Sequence, residues 1–202
     1  GATDGATQTT GQQKLQQQDA STSDGNLQLA AAVAFTNITG DSQVLVSTGG
    51  SLVSGGAITI NAGATLAGPV GGVMTLADGS NTQSGSVGIG VGAAINTANL
   101  ASRVQFSGAT TLTASGGVVA QATMTSTRFG AQATAGAGGS SVGVAGALAI
   151  NVDVTKAEAL LAPSANITLG GVTAFSLKSQ STTTDSAKAT AKVNAGNDAV
   201  GI

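Results

Sequence analysis

The segments VGIGVGAAI (Val87 to Ile95) and VGVAGALAINVDV (Val142 to Val154) decide how this chain folds. In both, side-chain bulk alternates with a period of two. Val142, Val144, Leu148, Ile150, Val152 and Val154 fall on one face; Gly143, Ala145, Ala147, Ala149, Asn151 and Asp153 fall on the other. Val87, Ile89, Val91 and Ile95 alternate with Gly88, Gly90, Gly92 and Ala94 in the same way. Strict alternation with β-branched residues marks a strand. A helix would hold Gly88, Gly90 and Gly92 in its interior, at about 1 kcal/mol each relative to alanine.

The two segments are copies of one unit. LQLAAAVAF (Leu27 to Phe35) aligns with both, and VGI (Val200 to Ile202) starts a further copy, so the chain repeats every ~55–60 residues. A second landmark recurs in each unit as SLVSGGAITINA around Gly55-Gly56, TLTASGGVVAQA around Gly116-Gly117 and NITLGGVTAFSL around Gly170-Gly171. It consists of a short alternating run, a Gly-Gly turn and another run. A polar Ser/Thr/Gln tract, such as Lys178 to Lys192, closes the unit. This divides the chain into residues 1–26, the tail of a preceding repeat; repeats at 27–86, 87–141 and 142–199; and residues 200–202, the start of the next.

Composition limits how such units pack. The chain of 202 residues has 31 Gly, four Phe and no Trp, Tyr, Cys or His. Charged residues make up 8%, against roughly 25% in an ordinary soluble domain. A disordered chain would be charged and poor in β-branched residues. Collagen is excluded by the aperiodic glycines and the two prolines. A globular core several layers thick needs bulkier side chains than these. A thin, elongated interior does not, and stacked repeats build one. An all-β parallel solenoid is therefore expected, with coils of ~20 residues and two or three coils per repeat. Stacking predicts columns of equivalent residues, Phe35 with Ile95 and Ile150, and Val46 with Phe106 and Leu161.

The second face of these strands is Gly and Ala, where a solvated face usually carries polar residues. Such a face lets another layer approach closer than the usual ~10 Å, either from the same chain or from a neighbouring molecule. Gly88, Gly90, Gly92, Ala94, Gly143, Ala145, Ala147 and Ala149 are thus the candidate self-association face. Lysine at Ala145 and Ala147 is expected to abolish lateral assembly without unfolding the chain.

Chemistry is sparse. Without His or Cys the usual zinc sites, thiol catalysis and imidazole acid–base work are excluded. The acidic residues are spread singly, so no calcium cluster is expected, and Asp24-Gly25, Asp78-Gly79 and Asn197-Asp198 read as turns. Asp153, Lys156 and Glu158 form the only close charged trio, with a surface ion pair as the simplest reading. Arg128 beside Phe129 reads as a snorkelling surface residue. The formal net charge of −2 and the lack of a basic, aromatic stripe argue against nucleic acid. No run of ~18 or more bulky apolar residues predicts membrane insertion. The chain is expected to be no enzyme and to need no metal or cofactor.

The order VGVxGAxAINV, polar linker, AxxTLxxGGVxxxA, Ser/Thr tract resembles the repeats of giant bacterial surface proteins: filamentous-haemagglutinin-like adhesins, autotransporter passengers and leukotoxin-like filamentous adhesins. Val87 to Thr97, Val142 to Val154 and the segments around Gly56, Gly117 and Gly171 carry it. The Gln-rich stretch Gln12 to Gln18 departs from it. The resemblance implies a right-handed parallel β-helix, export to the bacterial cell surface, and a part in adhesion, biofilm or fibre architecture. Its partners would be other copies of itself and host or cell-surface glycans. The alternative is an ice-binding or glycan-binding solenoid. Ice binding needs a regular Thr array, and Thr123, Thr125 and Thr127 form the sole good run.

Overall fold

The computed structural model describes residues 27–67, 74–81, 86–195 and 198–202; the expected tail at 1–26 lies outside them. Every strand pairing among the described residues is parallel. Three sheets run the length of the stack. Sheet A is β1 (Leu27–Val46), β5 (Val87–Phe106), β8 (Val142–Leu161) and β11 (Asp198–Gly201), in that order. Sheet B is short: β2 (Gly50–Ser54), β6 (Ala109–Ala114) and β9 (Asn166–Gly170). Sheet C orders β3 (Ile58–Ala67), β7 (Val118–Gly139) and β10 (Phe175–Ala195), with β4 (Thr75–Asp78) also on β7. The chain visits A, B and C in turn and then returns to A. This is an all-β parallel solenoid.

Each repeat is one coil, not the two or three expected. The register carries Leu27 onto Val87 and Val87 onto Val142, and holds over twenty residues to Val46, Phe106 and Leu161. Both expected columns form. The coil is large because the presumed polar linkers continue the strands. Ala98, Leu100, Ser102 and Val104 keep turning inward beyond Asn96. At the fourth start the structure pairs Val142 with Asp198 and Val144 with Val200, two residues from the sequence alignment. A slip of two keeps every side chain on its face.

Corners follow turn chemistry. Gly49 and Gly108 take positive φ (82° and 68°) at successive A-to-B corners, a conformation that a Cβ disfavours. The Gly-Gly pairs lie at the B-to-C corners. Gly170-Gly171 sits earlier in its corner than its counterparts, since Thr113 pairs with Gly170 while Val118 pairs with Phe175. Asp78 accepts from the Ser80 amide at 3.0 Å, the Asx turn expected there. Arg128, exposed at φ 59°, is an extra residue in β7, because Thr127 pairs with Thr184 and Phe129 with Asp185. This bulge resets the alternation. Even-numbered residues from Val118 to Ser126 point inward before it, and odd-numbered ones from Phe129 to Ala137 after it.

The interior is a wedge, and residue size follows its taper. Inward residues along β5 run Gly88, Gly90, Gly92, Ala94, Asn96, Ala98, Leu100, Ser102, Val104, Phe106. At the wide base, where sheet B separates A from C, Ile60, Val104, Phe106, Leu112 and Val118 form the main core. Phe106 meets Phe175 edge to face, with centroids 5.8 Å apart. Burying such a side chain contributes about 1.5–3 kcal/mol. Mid-wedge, Met124 and Phe129 pack on Ala98 and Leu100. At the tip, where C passes directly into A, the filling is Ala77, Ala94, Ala131, Ala133, Ala135 and Ala137.

Candidate functional site

The Gly/Ala face belongs to that tip. Cα atoms of β5 and β7 approach within 8 Å, inside the ~10 Å of ordinary sheet packing. A Cβ built on Gly88 would lie 1.7 Å from the Gly138 carbonyl oxygen, and one on Gly90 would lie 2.1 Å from that of Gly136. Gly88, Gly90, Gly92, Ala94, Gly143 and Ala145 are buried, and Ala147 and Ala149 half-buried. Of the two neighbours that face could take, it takes the second layer of its own chain. This corrects its candidacy for self-association: Ala145 has no exposed surface, so lysine there breaks the fold and not a contact between molecules.

The bulky residues, excluded from the tip, point outward. On the outer face of sheet A, Phe35 is 65% exposed, Val33 62% and Leu148 52%, with Leu27, Leu29, Val91, Ile150 and Val200 also exposed. In register, Val33, Ala93 and Leu148 form one row, and Phe35, Ile95 and Ile150 the next. Beyond Ile150 this face stays apolar on β8 through the exposed Val152 and Val154 and turns polar at Lys156, whereas on β1 and β5 it is polar from Asn37 and Thr97. Arg103 and Lys156 each reach Glu158 at 2.6 Å, holding its carboxyl below the usual value, through the Lys156 hydrogen bond first and Arg103 next. The expected trio is thus divided. Lys156 and Glu158 face out and join Arg103 of the coil below, while Asp153 faces in.

The outer face of sheet C has the opposite character. Thr65, Thr125 and Thr182 stack in one column. Lys178, Lys188 and Lys192 stand exposed along β10. An open groove of about 580 Å³ crosses Gly136 and Gly138 between Asn81 and Lys192.

Polar groups also enter the interior. Asn96, fully buried, donates to the Asn151 side chain at 2.8 Å and to the Gly130 carbonyl at 3.2 Å, and accepts from Thr75 at 3.2 Å. Ser102 ties sheet A to C through the Ala62 carbonyl at 2.7 Å. In the third coil the mid-wedge filling changes character. Register places Asp153 on Ala98, Thr155 on Leu100, Ser181 on Met124 and Asp185 on Phe129. Thr155 bonds Thr183 at 3.0 Å and Ser181 at 3.1 Å. Both Asp153 carboxylate oxygens are buried with no donor. Asp185 faces them, and partial burial first and the Asp153 charge next push its carboxyl up to about 6. No group of three or more acidic, His or Cys residues that could hold a metal ion occurs among the described residues. The sequence marked Asp153 as a surface charge; its inward place in the alternation was the signal that it is not.

The geometry therefore offers two broad outer faces, one apolar and one of threonine and lysine, and a polar interior in one coil. Comparison with family models, with curated proteins and with solved structures gives no match to this chain.

Proposed function

We propose that this chain is a structural and adhesive segment of a long extracellular repeat protein of the bacterial surface, built to present broad flat faces. The observation that carries the reading is the unbroken twenty-residue register, one coil per repeat. Each repeat of ~57 residues adds only ~4.8 Å of axis while spanning ~66 Å of strand. That is a poor way to gain length and an efficient way to gain surface. A ribbon or matrix suits it better than a slender stalk. The nearly uncharged, Cys-free composition and the likeness to surface-adhesin repeats support an exported setting, with other copies and cell-surface glycans as partners.

Electron microscopy of a multi-repeat array tests this. A ribbon about 66 Å wide that lengthens by ~4.8 Å per repeat supports it. A thin rod, or a globule, sinks it. The threonine column Thr65, Thr125 and Thr182 favours a second reading, ice binding by sheet C. Thermal hysteresis would establish that one. Gly63 and Gln180 interrupt the array beside Thr123, which is why it ranks second.

A further inference from the structure

We infer that the apolar outer face of sheet A is a homotypic interface, which a second copy of this chain covers face to face. The inference deepens the ribbon reading, naming the face and the partner. Leu27, Leu29, Val33 and Phe35 on β1 are repeated in register by Val87, Ile89, Ala93 and Ile95 and by Val142, Val144, Leu148 and Ile150. No charged side chain projects from these three rows. About ten residues at ~3.3 Å by three strands at ~4.8 Å, with the short β11 beyond them, give a flat patch of roughly 500 Å². Exposed apolar patches of that size mark interaction sites. Two such patches apposed remove about 1,000 Å², the area that a specific interface has to reach.

Three observations select a second copy over other occupants. Its side-chain rows repeat at the same ~4.8 Å spacing, so ridges and furrows match over any number of coils, as in aligned sheet packing. A partner of different architecture has no such match. The chain's own residues 1–26 offer Leu15 as their one bulky apolar side chain, too little to cover the patch. Sheet C cannot serve instead, because Lys178, Lys188 and Lys192 on its outer face would meet their own copies.

Sedimentation of the full 202-residue chain, with vesicles of neutral phosphatidylcholine as a parallel arm, tests the inference. The wild type is expected to associate. Phe35→Lys with Leu148→Lys should weaken association at least about tenfold, with circular dichroism unchanged. Thr125→Lys with Thr182→Lys on sheet C should leave association intact. If the first pair lost its β signal, Val33→Lys would replace it. A monomeric wild type, association indifferent to the sheet A lysines, or vesicle binding without self-association would overturn the inference. None of these substitutions alters the width or rise of the coil, so the ribbon reading stands or falls separately in the microscope.

Discussion

One strand, β5, builds two interiors of opposite kind. At its start, Gly88, Gly90 and Gly92 let β7 approach until backbone meets backbone. At its end, Val104 and Phe106 are buried among Leu112, Val118 and Ile60, where sheet B props A and C apart. Bulk is therefore informative only against local wedge width. Where three sheets surround a space, large side chains fill it and the hydrophobic effect holds it. Where two sheets close on each other, any side chain is an obstacle, and dispersion between backbones replaces it. The bulky residues at the tip are driven outside, and that leaves an apolar outer surface.

The strongest way to break this contrast is to put a side chain at the tip. Gly88→Val places a branched side chain where Cβ alone would sit 1.7 Å from a carbonyl oxygen. Neither backbone can retreat without losing its ladder. We expect a loss above about 4 kcal/mol, or failure to fold, in guanidinium unfolding. Gly146→Ala is the matched control on the outer face, with nothing within 4 Å of the added carbon, and should stay within about 0.5 kcal/mol. Equal losses at both positions would show that glycine serves the turn of the chain and not the approach of the sheets.

The base of the wedge should respond to loss of bulk instead. Phe106→Ala empties a fully buried site and removes the edge contact to Phe175, for an expected loss of about 3–5 kcal/mol. Phe35→Ala, the same change in a residue 65% exposed, should lose under about 1 kcal/mol in dilute solution. The ratio of the two losses measures how far the sequence's largest side chains are divided between core and surface.

Much of this was legible beforehand. The period of two, the repeat and the columns came from alignment alone, because parallel stacking at one coil per repeat copies sequence register directly into space. The orientation of the faces was not legible. The rule that bulk points inward assumes an interior wide enough to receive it, and nothing within Val87 to Ile95 states the local width. A second small-residue run did carry the information: Gly130 to Gly139 contains Ala131, Ala133, Ala135 and Ala137 at the same alternation. Two small faces in one coil can satisfy each other. The coil count failed because it rests on the usual coil length of ~20 residues, whereas here the polar stretch after Asn96 continues the strand, with Ser102 making its hydrogen bond across the wedge. The bulge at Arg128 left no mark in composition.

The smallest effect probes the third coil, where carboxyls stand in place of Ala98 and Phe129. The folded chain holds Asp185 up to about 6 from 3.8, so protonation favours the folded state. Its stabilising contribution is complete below pH 3.8 and is lost as pH rises through about 6. Protonated Asp185 also supplies the donor that the buried Asp153 oxygens lack. The chain should thus unfold at higher denaturant at pH 5 than at pH 7. Glu158 does not mask this, since the stability from its lowered value is lost only at more acid pH. Asp185 is exposed on its strand, and water screening keeps the gain under about 1 kcal/mol. Asp185→Asn, which can donate to Asp153 without adding charge, should flatten the profile between pH 5 and 7 at the more stable level. A variant that keeps the wild-type slope would place the titration elsewhere, and the third coil would then differ from the second in polarity without differing in its response to acid.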